Sequence, residues 1–342
     1  MLVVIVVALA GCGDGDERGS APESEGPSPA CGSGDAVNGR SLRIATTVAP
    51  ITSIIANIAG GTDTSISGIV PEGANSHTYE PAPSVAATLE RADVVFMNGL
   101  MLEEPTRALA LANRPGGAEV CQLGTSVLPE DEYIFDASFP EGAGRPNPHL
   151  WTNPVMAKQY AEVVRDVLVA RDPADAPTYR SNYEVFAARI DALDAAVRDA
   201  TLTVAPDRRR LLTYHDGYAY FAREYGWQVL GGIQPSSFDE PTPRDVADLI
   251  EQVRASGVPA IFGSAEFPSS VLEQIASETG AAYVDDLRDD DLPGAPGDPD
   301  HSWLGLMRSN VVTMIDALGG DASSLEALDV TDVAPDEAVY AQ

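Results

Sequence analysis

Apolar and polar positions follow two periods along most of the chain. From residue 42 onward, short runs dominated by apolar residues alternate with stretches whose apolar positions recur every three or four residues. The first pattern predicts buried strands and the second amphipathic helices. In the first half, strands are expected at residues 42–47, 64–70, 93–98 and 118–123, and helices at 51–59, 84–91 and 103–113. The second half repeats this grammar. Strands are expected at 210–214, 228–233, 260–263 and 281–287, and helices at 217–225, 242–256, 269–279 and 303–318. Such alternation predicts an α/β fold with parallel sheets, as two lobes of about four strands each.

Between the halves lie two helical stretches, residues 153–170 and 176–202. In the second, Val185, Phe186, Ile190, Leu193 and Val197 mark one apolar face. A helix of that length spans about 40 Å. It would join the lobes as one long rigid hinge; the alternative is a pair of ordinary helices belonging to one lobe. The chain then divides into an N-terminal lobe at 41–172, a connecting helix at 173–204 and a C-terminal lobe at 205–320. Residues 321–342 are acidic and weakly patterned, and are expected to form a partly frayed extension.

The N-terminus has a different character. Leu2 to Ala10 form an apolar run too short to span a bilayer as an ordinary helix, but suited to a secretion signal. It ends in Leu9-Ala10-Gly11-Cys12, which resembles the lipobox of bacterial lipoproteins. That resemblance implies a signal at residues 1–12, cleavage before Cys12 and acylation of its sulfur. Residues 13–40 are rich in Gly, Ser, Pro and acids, and are expected to be a disordered tether with a reach of about 30 Å. Such a tether would lift a folded body off a membrane. The other two cysteines, Cys31 and Cys121, could pair outside the cytoplasm and pin the tether to the body. Two unrelated thiols are the equal alternative.

Composition then narrows the partners. The 342 residues carry 52 Asp plus Glu against 21 Lys plus Arg, a formal charge of −31. A surface of that sign repels phosphate backbones and excludes nucleic acid as a partner, but it does not repel a cation. Only four histidines are present, and three stand where expected strands end. His77 follows the strand ending at Val70, His215 follows the strand at 210–214, and His149 lies in a loop just before a helix. Ligands of open α/β sheets bind outside the carboxyl ends of strands, so these three are candidates to converge. After the strand at 281–287 come Asp289, Asp290 and Asp291, one of which could reach the same point. Three imidazoles and one carboxylate make a closed tetrahedral set of the kind zinc favours. His301 lies in a loop before a helix, where nothing asks for a ligand, and is expected at the surface.

These residues resemble a known family. His77-Thr78-Tyr79-Glu80-Pro81, Ala92-Asp93-Val94-Val95 and Asn98-Gly99-Leu100 look like the metal-binding solute receptors of bacterial ABC importers for zinc and manganese. So do Asn147-Pro148-His149-Leu150-Trp151, where the family usually has Asp-Pro-His-x-Trp, and Thr213-Tyr214-His215-Asp216. Glu240-Pro241, and Glu278-Thr279-Gly280 followed by Leu287 and Asp290-Asp291-Leu292, complete the series. The order holds from about Leu42 to Asn310. The resemblance implies two lobes joined by one long helix, with the metal between them. It assigns His77 and His149 to the first lobe, and His215 and Asp290 to the second, with an alignment that can be off by one within the Asp run.

The resemblance further implies an extracytoplasmic, lipid-anchored monomer that delivers its metal to an integral-membrane ABC permease and does no chemistry. Imidazole at position 215 favours Zn²⁺, because manganese prefers oxygen ligands. The acidic loop at 129–145 has no His, whereas many zinc carriers have a His-rich loop there; Mn²⁺ or iron therefore stays open. The rival class is a zinc hydrolase. It would need an open coordination position and a nearby base, and the chain has neither a His-Glu-x-x-His helix nor a Gly-x-Ser-x-Gly elbow.

Overall fold

A computed structural model describes residues 31–32, 34–234, 241–265 and 269–340. The apolar leader, Cys12, tether residues 13–30 and Glu240 lie outside the described residues. The first half runs β1 (Arg43–Thr46), α1 (Ala49–Ala59), β2 (Ser65–Gly68), α2 (Val85–Leu89), β3 (Val94–Met97), α3 (Glu104–Asn113), β4 (Glu119–Gln122) and α4 (Leu123–Val127). Its four strands form one parallel sheet in the order β2-β1-β3-β4. Two long helices follow, α5 (Pro154–Arg171) and α6 (Ala176–Thr203). The second half runs β5 (Arg210–Thr213), α7 (Ala219–Tyr225), β6 (Gln228–Gly232), α8 (Pro243–Ser256), β7 (Ala260–Ser264), α9 (Ser270–Thr279) and β8 (Ala282–Leu287). Its sheet is parallel too, in the order β6-β5-β7-β8. The chain closes with α10 (Trp303–Ala317) and α11 (Ser323–Glu326). The architecture is the expected pair of four-stranded α/β lobes.

Helix α6 is continuous over 28 residues, about 42 Å at 1.5 Å per residue. Pro177 falls in its first turn, where a missing N–H removes no helical bond. Tyr179, Phe186, Ile190, Leu193, Val197 and Ala200 are buried at helical spacing against α5, α1, α10 and α11. Val185 does not belong to that face. It is 43% exposed, because it adjoins the stripe in sequence but points about 100° away from Phe186.

Two terminal segments are more ordered than expected. The end of the tether lies on the first lobe: Cys31 is disulfide-bonded to Cys121 of β4, and the Val37 amide donates to the Arg171 carbonyl at 2.7 Å. Arg40 makes a two-pronged ion pair with Asp93 at 2.6–2.7 Å. Composition hid these contacts because each uses a single residue of an otherwise polar stretch. The C-terminal extension is not frayed either. Gly68 donates to the Val339 carbonyl at 2.8 Å and Val339 donates to the Ile66 carbonyl at 3.0 Å, so the tail covers the open edge of β2. Asn57 of α1 holds the same tail through Asp332 and the Val333 amide. An edge strand offers unpaired backbone groups, and here the tail satisfies them without needing an apolar pattern of its own.

The lobes meet through tryptophan. The Trp303 indole donates to the Trp151 carbonyl at 2.9 Å, and the Trp151 indole donates to the Asp289 carbonyl at 2.7 Å. The Trp303 amide also donates to Ser53 Oγ of α1 at 2.9 Å. Both indoles are fully buried, and Phe186 of α6 packs edge-on against Trp303. Replacing Trp303 by Ala therefore leaves a large void and orphans the Trp151 carbonyl. The expected cost is about 3–5 kcal/mol, read from urea unfolding of the metal-free protein. A loss below about 1 kcal/mol would show that this contact does not organise the lobe interface.

Candidate metal centre

Every candidate ligand sits just beyond the carboxyl end of a strand or in a loop beside it. His77 lies in the loop after β2, His215 two residues past β5, and Asp289 and Asp290 two and three residues past β8. His149 precedes a single 3₁₀ turn at Leu150–Thr152 that leads into α5. The three imidazoles converge. Nε2 of His77 is 3.2 Å from that of His149 and 3.0 Å from that of His215, and the last two are 2.9 Å apart. Nitrogens bound to one zinc ion at about 2.0–2.1 Å stand about 3.3 Å from one another when tetrahedral. The triangle is thus close to the size a metal ion requires.

Two carboxylates face the triangle. Asp290 places Oδ1 3.6 Å from His149 Nε2 and Oδ2 3.9 Å from His77 Nε2. Asp289 places Oδ2 3.8 Å from His215 Nε2. Both are buried. Asp291 is turned elsewhere, accepting from the Gly73 amide through Oδ2 and from its neighbour Leu292 through Oδ1. Of these three adjacent carboxylates, expected as alternatives, the structure brings two to the site. Asp290 also accepts a hydrogen bond from Ser76 Oγ in the His77 loop.

The outer nitrogens are held so that Nε2 points inward. His149 Nδ1 lies 2.8 Å from Asn147 Oδ1. The Asn147 amide nitrogen is spent on Asp136 Oδ2 at 2.9 Å and on the Asp216 carbonyl at 2.8 Å, so its oxygen must face His149. Nδ1 of His149 therefore carries the proton and Nε2 keeps its lone pair. His215 Nδ1 lies 3.0 Å from Gln234 Oε1, which sets the same tautomer. Asn147 was visible only as part of the motif around His149, and Gln234 carried no signal at all.

Phe139 was also missed. It comes from the acidic loop at 129–145 and is buried, with its ring centroid 5.6 Å from His77, 5.7 Å from His149 and 6.2 Å from His215. Asp136 shapes the turn that puts it there, accepting from the Ser138 and Phe139 amides. One side of the triangle is thus sealed by an apolar ring, and the carboxylates are a separate set of neighbours. His301 needs correction. It is not a surface residue but 5% exposed, 3.1 Å from Glu72 of the His77 loop, and covered by Tyr340 of the tail. The burial comes from the tail, which had no pattern from which to foresee it.

Electrostatics divides the histidines. Burial, then the nearby His215 charge, pushes His77 and His149 well below the usual 6.5. Burial presses His215 the same way, but Asp289, Asp290, Asp216 and the Gln234 hydrogen bond outweigh it and raise its pKa. Burial, with Asp289 alongside, raises Asp290 to about 7. Burial and the carboxylates thus draw His215 and Asp290 toward their protonated forms, while His77 and His149 are held toward the neutral form that ligates.

Two lobes of parallel α/β structure with three inward-facing imidazoles between them define a metal-binding substrate protein of the ABC-importer type. The chain belongs to the family described as zinc-uptake complex component A, periplasmic, which matches residues 44–317. It is 27% identical to the manganese-binding lipoprotein MntA of Halalkalibacterium halodurans, over 93% of this chain and 97% of that one. It is 29% identical to the iron-binding protein YfeA of Yersinia pestis, over 82% and 87%. Among solved structures, the Mn-bound periplasmic metal-binding protein of Candidatus Liberibacter asiaticus has a TM-score of 0.71 at 25% identity, covering 81% of this chain and all of that one. The periplasmic zinc-binding protein TroA of Treponema pallidum has the same fold, with a TM-score of 0.73 at 24% identity over 82% and 99%.

The divided histidines give a direct test. In an NMR titration of the metal-free protein, His215 is expected to titrate above pH 6.5, while His77 and His149 stay neutral well below it. Three histidines titrating together near 6.5 would contradict the geometry.

Proposed function

We propose that the protein captures Zn²⁺ between its lobes and delivers it to an integral-membrane ABC permease, acting as a monomer held to the outside of the cell membrane by lipid on Cys12. The observation that carries this is the meeting of three Nε2 atoms within 2.9–3.2 Å of one another, beside buried carboxylates. The proposed ligands are His77, His149, His215 and Asp290, with Asp289 as an additional oxygen donor. A divalent ion with three neutral imidazoles and two carboxylates leaves a cleft of zero net charge. The lipid anchor is supported by Leu9-Ala10-Gly11-Cys12 and by relatives named as lipoproteins. Among the described residues, no helix is long and apolar enough to cross a membrane.

Trapping suits this site better than turnover. Three imidazoles and two carboxylates can fill the positions around the ion, whereas catalytic zinc keeps a place open for water. The family is one of substrate-binding transport proteins, and we read this chain as doing no bond-making chemistry. The step it performs is ligation and release: the ligands must be deprotonated to bind, so metal capture displaces any proton they hold, and the lobe contacts hold the ion until the permease draws the lobes apart.

A second reading is Mn²⁺ or iron. The presence of Asp289 beside Asp290 favours it, since oxygen donors suit harder ions, and relatives are named for manganese and for iron. Two variants separate the readings. His215→Ala should lower zinc affinity by ~100-fold or more while leaving the circular dichroism spectrum unchanged, because a ligand rather than a neighbour is lost. Parent-like affinity in a chelator competition would remove His215 from the site. Asp289→Asn should weaken Mn²⁺ by about tenfold and Zn²⁺ by much less. Equal losses for both metals would mean that Asp289 does not discriminate between them.

A further inference from the structure

The loop that carries His77 packs on the apolar core through Ala74 and Tyr79, both only partly buried. Between Pro71 and Pro81 only Ser76 is buried, and the loop contains turns but no strand or helix. Its hold on the opposite lobe is polar. Ser76 reaches Asp290, the Gly73 amide reaches Asp291 at 2.8 Å, and Glu72 Oε1 stands 3.1 Å from Nε2 of His301. The first two of these contacts sit on or beside the ligand Asp290. The third is remote from the metal and lies next to α10.

His301 is itself held from behind. Its Nδ1 lies 3.2 Å from the Pro293 carbonyl, and the Tyr340 ring packs edge-on at 5.3 Å. Tyr340 is fixed by its hydroxyl, which donates to Asp336 Oδ2 at 2.6 Å, and its neighbour Val339 bridges to Ser67 of β2. A closed circuit results. It runs from β2 through the His77 loop to Glu72, across to His301, on to Tyr340, and back to β2 through the tail. A cavity of about 340 Å³ lined by His301, Asp332, Asp336 and Tyr340 adjoins the imidazole. The ring is therefore placed by its partners and not by dense packing on every side.

We infer that Glu72 and His301 form a latch that positions the His77 loop over the cleft and so slows release of the bound metal. Both are positioning residues: neither reaches the three Nε2 atoms, and they act through the loop backbone. The role of the tail follows, since Tyr340 keeps His301 facing Glu72. This inference rests on His77 being a ligand.

The test compares the parent with Glu72→Gln, His301→Gln, the double variant and the exchanged pair Glu72→His with His301→Glu. Zinc-loaded protein is mixed with excess EDTA in a stopped-flow instrument, and amide exchange of residues 71–81 is followed in the metal-free proteins. Each single variant should release zinc about tenfold faster, the size of a contact worth about 1.4 kcal/mol. The double variant should be no faster than the singles, because one interaction is lost in all three. The exchanged pair should recover part of the slow release, which a merely structural role would not produce. Residues 71–81 should exchange faster in the metal-free single variants, while the rate of zinc uptake stays at the parent value. Release within twofold of the parent in Glu72→Gln, or single effects that multiply in the double variant, would overturn the latch. Glu72→Gln is nearly isosteric and stands in a loop, so it serves if His301→Gln fails to fold. A parent that does not retain zinc would overturn the ligand assignment instead.

Discussion

Three imidazole nitrogens about 3 Å apart cannot all carry protons. Two like charges at that distance repel by about 5 kcal/mol even at an effective dielectric of 20. Here they are also buried, which further disfavours the charged form. The two carboxylates beside them, with Asp216 and Gln234, reverse the balance for His215 alone, and Asp289 adds to the burial that raises the pKa of Asp290. The cleft is therefore built around a missing positive charge. A divalent ion held there by three neutral imidazoles would balance the two carboxylates. Among the described residues, most of the other carboxylates are exposed, so they belong to the solvated surface and not to the cleft.

Everything near the cleft serves that balance. Parallel sheets end their strands at the lobe interface, which brings loops from both halves to one place. Asn147 and Gln234 fix the inward nitrogen, and Asn147 is fixed in turn by Asp136 and the Asp216 backbone. Phe139 closes one side with an apolar ring that offers no competing ligand. The Trp151 indole ties the first lobe to the Asp289 backbone, so the residue supplying a carboxylate is also part of the structural seam. Helix α6 and the buried tryptophans give a continuous apolar spine beneath.

The strand and helix alternation was legible because each lobe repeats one apolar period after another, and the long α6 face from Phe186 to Val197 was read correctly except for Val185. The histidines were legible because strand ends are few and three of four histidines stood at or near them. The Asp run was harder. Three adjacent carboxylates carry no internal distinction, and only tertiary placement shows that Asp291 turns to Gly73 while Asp289 joins Asp290. His301 and the tail were misread for a related reason. Their order depends on Glu72, Ser67 and Asn57, which lie in the opposite half of the chain, and no local period marks such contacts. The base of the tether escaped in the same way, held by single residues such as Val37 and Arg40.

The central claim is that one divalent ion is bound by imidazoles from both lobes together with carboxylate oxygen. X-ray absorption at the metal edge of the zinc-loaded protein tests it most directly. The expected spectrum shows three imidazole scatterers, with nitrogen at about 2.0–2.1 Å, and at least one carboxylate oxygen at about 2.0–2.2 Å. A spectrum with fewer than three imidazoles, or with sulfur in the coordination sphere, would contradict the account.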